Sequence, residues 1–208
     1  MKKLNVDYDY VYIIDCLPQS QRDEHKISEE LMAFLKTKGI SSHKLSCNER
    51  KAVFEALDYL IKQANNGKKF LLQIVSHGTK DGLWIEDTNE DIYWCEFREK
   101  LQKIHEKTAN TLLLNMTSCR GLNGVKIVSE GESDYPFFGL IGCARNLHFW
   151  EGKIVNELFY SGLLKNKDIN EIISQIQHEL KKKGTEDNVV YGITSEGYSI
   201  HKKRIRKK

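Results

Sequence analysis

Apolar residues fall along the chain in two patterns, near-continuous short runs and longer stretches in which they recur every three or four positions. DYVYIID (9–15), KFLLQIVS (69–76), NTLLLNMT (110–117) and FFGLIG (137–142) belong to the first kind. Runs this short and unbroken suit parallel strands covered on both faces. ISSHKLS (40–46) reads as a half-buried strand, and GLWIED with DIYW (82–94) as a hairpin laid over the exit of the strand at 69–76.

The second kind predicts helices. Ser28 is placed to cap one running to about Lys38, with Leu31, Phe34 and Leu35 on its inner face and Gly39 as its stop. Val53, Phe54, Leu57, Leu60, Ile61 and Ala64 predict another over 49–66, and further helices are expected over 94–107 and 151–164. A last one starts at an Asp168/Glu171 capping box and ends at Gly184. VVYGIT and YSIHK (189–202) are expected to close the chain as a hairpin-like pair. Strands alternating with helices predict a three-layer α/β fold, a mostly parallel central sheet flanked by helices. With 208 residues, two prolines and no repeat or low-complexity linker, the expectation is one domain over 1–200 and a basic C-terminal tail at 201–208.

Composition narrows the class. Hydrophobic residues at 40% and charged residues at 29% exclude a disordered or collagen-like chain, and no apolar run approaches a membrane span. Asp7 and Asp9 interrupt any export-signal core, so a cytoplasmic location is expected. The net charge of +3 belongs to the tail: HKKRIRKK holds six Lys or Arg, and residues 1–200 are net acidic. A short terminal charge run is ordinarily solvated, so nucleic-acid binding is not expected except through that tail. Five cysteines without a Cys-x-x-Cys pair argue against a disulfide framework and a structural zinc site.

In open parallel sheets the loops leaving the carboxyl ends of the strands converge, and function concentrates there. Three exits carry chemistry: Asp15-Cys16, Ser76-His77-Gly78 and Thr117-Ser118-Cys119-Arg120-Gly121. Cysteine and histidine at one edge are what thiol nucleophilic catalysis requires, because a base or cation near the thiol raises its thiolate fraction. The backbone N–H groups of Gly78 and Cys119 could meet at one oxygen as an oxyanion hole. Taken singly, a strand-end cysteine is more often a small buried residue and a loop histidine has no role. Cys143 and Cys16 are alternative nucleophiles or redox partners, although neither has a matched His-Gly block. A flavodoxin-like or receiver-like binding module would use the same sheet edge, but no G-x-G-x-x-G, Walker loop or acidic Mg²⁺ cluster is present.

FLLQIVSHG (70–78) and LLLNMTSCRG (112–121), each an apolar strand ending in a candidate catalytic residue, resemble the caspase-like cysteine peptidases. Cys-Arg-Gly is similar to the end of the caspase Q-A-C-R-G signature, with Thr117 and Ser118 in place of Gln and Ala. The hairpin after His77-Gly78, the FFGLIG strand and the FWEGKIVNELFYSGLL helix look more like the bacterial CHAT-type branch. The resemblance covers about residues 9–200 in element order, and only the two blocks are specific. It implies a cysteine endopeptidase with Cys119 as nucleophile, His77 handling protons, and Gly78 with Cys119 holding the oxyanion, without metal or organic cofactor. No Asp or Asn third member is visible, and such enzymes commonly manage without one. The implied partners are a protein or peptide substrate and an activating protein, in a bacterial defence or cell-death pathway. Specificity residues of several relatives fall where this chain has Asp15 and Thr117. A free Asp15 carboxylate would favour Arg or Lys before the cut, whereas an Asp15 that caps a turn or pairs with a neighbour would not. A catalytically inactive caspase-like scaffold is the alternative.

Overall fold

The computed structural model describes residues 8–128, 135–185 and 188–199. In chain order the elements are β1 (Tyr10–Asp15), α1 (Gln19–His25), α2 (Ile27–Thr37), β2 (Ser41–Ser46), α3 (Arg50–Asn65), β3 (Phe70–Val75), β4 (His77–Gly78), β5 (Gly82–Ile85) and β6 (Glu90–Tyr93). There follow α4 (Arg98–Lys107), β7 (Leu113–Met116), β8 (Gly139–Cys143), α5 (Phe149–Leu164), α6 (Ile169–Lys182) and β9 (Val190–Thr194). The main sheet runs β2-β1-β3-β7-β8-β9, parallel except for β9, which pairs antiparallel with β8. This is the expected α/β fold with a mostly parallel six-stranded sheet flanked by helices.

The apolar runs are continuous because each strand feeds two cores. In β1, Tyr12 and Ile14 face the layer of α3 and α4, while Val11 and Ile13 face the layer of α2, α5 and α6. Edge strand β2 has no such double duty, and its sequence SSHKLS leaves alternate residues exposed. Ile172, Ile176 and Leu180 bury the inner stripe of α6. Asp168 caps that helix by accepting from the Asn170 N–H, and Gly184 closes its end at φ 92°. Glu171 does not complete the expected capping box and pairs instead with Lys167.

Two further expectations fail locally. Residues 19–25 were not legible as a helix, because QSQRDEH offers no apolar stripe and α1 buries only Arg22. Lys26 at φ 50° hinges α1 directly onto α2, so Ser28 lies buried inside α2 rather than capping it. The expected second strand of the final pair, at 198–202, begins differently: Tyr198 and Ser199 belong to a helical turn over 195–199, and 200–202 lie outside the described residues. In that turn the Ser195 hydroxyl donates to the Phe137 carbonyl and the Gly197 N–H to the Thr194 hydroxyl. The tail at 201–208 lies outside the described residues.

β1 sits between β2 and β3, so the chain leaves it first to one side and later to the other. In open α/β sheets a reversal of this kind marks the carboxyl-end edge at which ligand sites form. Above it β4, β5 and β6 form a separate three-stranded antiparallel sheet.

Candidate active site

β3 ends at Val75, and two residues later His77 and Gly78 form the short edge strand β4. In an antiparallel ladder, hydrogen-bonded and non-bonded pairs alternate. The Thr79 N–H donates to the Gly82 carbonyl at 2.8 Å, which puts the next pair, Gly78 with Leu83, in the non-bonded register. The Gly78 N–H is thereby turned out of the ladder at a free edge.

Cys119 stands against that edge. A side chain on Gly78 would put its Cβ 1.8 Å from the Cys119 carbonyl oxygen, so only glycine lets β4 lie this close to the nucleophile's own peptide. The loop after β7 is equally constrained. Arg120 adopts φ 53°, the Gly121 N–H donates back to the Ser118 carbonyl at 3.0 Å, and a Cβ on Gly121 would lie 2.0 Å from the Met116 carbonyl oxygen. Cys-Arg-Gly is thus a tight turn whose last residue has no room for a side chain.

The Cys119 thiol is partly exposed and accepts the Leu147 N–H at 3.3 Å, with the Leu147 carbonyl at 3.8 Å. Cys16 and Cys143 are fully buried, and burial pushes both thiols well up from their ordinary acidity. Of the strand-end cysteines, Cys119 alone is open to a substrate and to a proton acceptor.

His77 Nε2 lies 3.0 Å from the Glu86 carboxylate. Nε2 is buried and makes no hydrogen bond, so Glu86 is a close neighbour of the ring rather than a bonded partner. Glu86 is the site residue that sequence reasoning missed. Its signal lay in the hairpin register: His77 pairs with Trp84, and Glu86, two residues on, shares that face. The same carboxylate accepts from Gln21 at 2.9 Å, tying the small sheet to α1.

Asp15 and Thr117 are placed differently from the expectation. Asp15 is buried, with Oδ1 accepting from the Leu17 N–H at 3.1 Å and facing Arg22 Nε at 3.4 Å, while Arg22 Nη2 donates to the Asp15 carbonyl. The turn-capping, neighbour-pairing alternative is therefore what the fold contains, and the Asp15 carboxylate is engaged within the protein. Thr117 is buried in a polar network, accepting from Gln73 and donating to Asn156, both at 2.8 Å. A cavity of about 700 Å³ opens at the opposite, amino-terminal edge of the strands, beside Leu71, Leu113 and Ile169, and contains none of the candidate catalytic residues.

No helix among the described residues is long and apolar enough to cross a membrane, and they contain no cluster of metal-ligating side chains. No protein-family model and no curated protein matches the sequence. Among solved structures the fold is similar to that of drICE, at 12% identity and a TM-score of 0.50 over 93% of this chain and 90% of that one. It is also similar to pro-sf-caspase-1, at 12% identity and a TM-score of 0.53 over 92% and 94%. At that identity the likeness is one of architecture, and on it the chain has a caspase-like fold.

Proposed function

We propose that the protein is a cysteine endopeptidase working through Cys119 and His77. The observation that carries this reading is the seating of Gly78 on the Cys119 peptide, which brings the His-Gly and Cys-Arg-Gly loops together. Cys119 Sγ attacks the scissile carbonyl carbon and its proton passes to His77. The oxyanion is held by the outward Gly78 N–H and the Cys119 N–H. Collapse breaks the C–N bond as His77 returns the proton to the leaving amine. A water, deprotonated by His77, then hydrolyses the thioester and frees the thiol. With Nε2 facing Glu86, Nδ1 is the nitrogen left for these transfers, and Glu86 acts by holding the ring. The pairing of Asp15 with Arg22 gives no support for a preference for Arg or Lys, so the reading is confined to peptide-bond hydrolysis.

The test is incubation of the folded protein with a proteome-derived peptide library, reading new termini by mass spectrometry. Wild type should generate them and His77→Ala, with an unchanged melting temperature, should not. A folded wild type that cleaves nothing would favour the scaffold reading, and a His77→Ala variant that cleaves as well would remove His77 from the mechanism.

A further inference from the structure

The loop between β8 and α5 is docked onto the nucleophile by four contacts. The Arg120 N–H donates to the Arg145 carbonyl at 2.9 Å, Arg120 Nε to Asn146 Oδ1 at 3.2 Å, and the Leu147 N–H to Cys119 Sγ at 3.3 Å, while the Leu147 carbonyl lies 3.8 Å from the same sulfur. What fixes the loop is a carboxylate 1% exposed in the first turn of α5. Glu151 Oε1 accepts from Arg145 Nη2 at 2.7 Å and from the Thr185 hydroxyl at 2.8 Å. Its Oε2 accepts from Arg145 Nη1 and the His148 N–H, both at 3.0 Å. Four donors from the loop and from the turn after α6 thus meet one buried carboxylate. Burial alone would push Glu151 up, but Arg145, the His148 N–H and Thr185 outweigh it and hold the carboxyl below its ordinary value. It is ionised at neutral pH.

Resting on the reading of Cys119 as the nucleophile, we propose that Arg145, Glu151 and Thr185 are positioning residues forming a clamp that keeps the Leu147 N–H on the Cys119 sulfur. A donor fixed on sulfur favours the thiolate over the thiol, and at 3.3 Å the N–H is a closer contact than the Leu147 carbonyl at 3.8 Å, which would favour the thiol. Among the described residues, other ionisable groups on the elements around this thiol include His77 with Glu86 on the small sheet, Arg120 on its own loop, His148 beside Leu147, and Cys143 at the end of β8. Clamp and bare electrostatics predict opposite signs. Neutralising Glu151 removes a negative charge, which through the field alone eases thiol ionisation. Through the clamp it frees the loop, withdraws the N–H and makes ionisation harder.

The experiment is the pH profile of Cys119 alkylation by iodoacetamide, read by mass spectrometry, in wild type, Glu151→Gln and Thr185→Val. The midpoint should rise by about one pH unit in Glu151→Gln, a roughly tenfold slower labelling at pH below both midpoints. It should rise by less in Thr185→Val, which keeps the charge and loses one hydrogen bond. A midpoint that falls or stays put in a folded variant overturns the clamp, and Thr185→Val decides if Glu151→Gln does not fold. Alkylation needs no turnover. A wild type that cleaves no peptide while the midpoints still move would sink the peptidase reading and leave the clamp standing.

Discussion

The exit of β1 and the paired exits of β3 and β7 lie on one sheet edge and hold similar residue types, yet they have opposite fates. Each has a cysteine, a carboxylate and a basic side chain. At β1 the carboxylate and guanidinium satisfy each other inside the protein, and Cys16 is 1% exposed. At β3 and β7, β4 stands off the main sheet, Gly78 gives up its side chain, and the thiol and imidazole stay in reach of solvent. Chemistry at a strand end depends less on which residues arrive than on whether their hydrogen-bonding capacity is already taken.

The largest expected effect separates the two thiols. Cys119→Ala should abolish labelling by an acyloxymethyl-ketone probe and remove turnover, a loss on the order of 10⁶ for deletion of a nucleophile. Cys16→Ala and Cys143→Ala should label as wild type. Labelling that follows Cys16 or Cys143 would erase the contrast between the closed and open exits.

Next comes the closed exit itself. Asp15→Ala leaves the Arg22 guanidinium, 8% exposed, without its partner and should cost about 3–5 kcal/mol of stability in denaturant titration. The iodoacetamide rate at Cys119 should be unchanged. If stability holds and hydrolysis after Arg or Lys is lost instead, Asp15 is free in solution and serves the substrate.

Gly78→Ala probes the open exit. With its Cβ 1.8 Å from the Cys119 carbonyl oxygen, the variant must push β4 away from the nucleophile and misplace an oxyanion donor. The loss of one such donor is typically about 10²–10³ in kcat, with KM little changed. Full activity in this variant would show that β4 does not contribute to the site.

The legible part of this molecule was what periodicity encodes. β1, β3, β7 and β8 announce themselves because strands buried on both faces tolerate little but apolar residues, and α3 and α6 because their stripes repeat at 3.6 residues. α1 has no stripe to read. The Cys119 and His77 exits were visible as punctuation after apolar runs, whereas Glu86 reaches His77 only through hairpin register, which one sequence leaves open. The commitment of Asp15 to Arg22 was equally hidden: a helix without apolar signal carries the guanidinium, and residue type alone cannot distinguish a pocket floor from a sealed pair.

The smallest expected effect extends the comparison from two exits to two histidines. His105 lies near the end of α4, 6% exposed, with Nδ1 accepting the Leu112 N–H at 3.3 Å as the chain turns into β7. Burial pushes its pKa down from 6.5 to about 4, so the folded protein holds it neutral where the unfolded chain would protonate it. Between those values the unfolded state binds more protons, and stability falls as pH drops. The contribution is complete above pH 6.5 and lost as pH falls towards 4. In His105→Gln, whose amide oxygen can still accept from Leu112, the acid-side decline in melting temperature should flatten over that interval. The labelling profile of Cys119, at the opposite edge of the sheet, should not move. A decline equally steep in the variant would mean that the acid sensitivity belongs to other groups, and a shifted labelling profile would mean that the buried histidine and the open site are not independent.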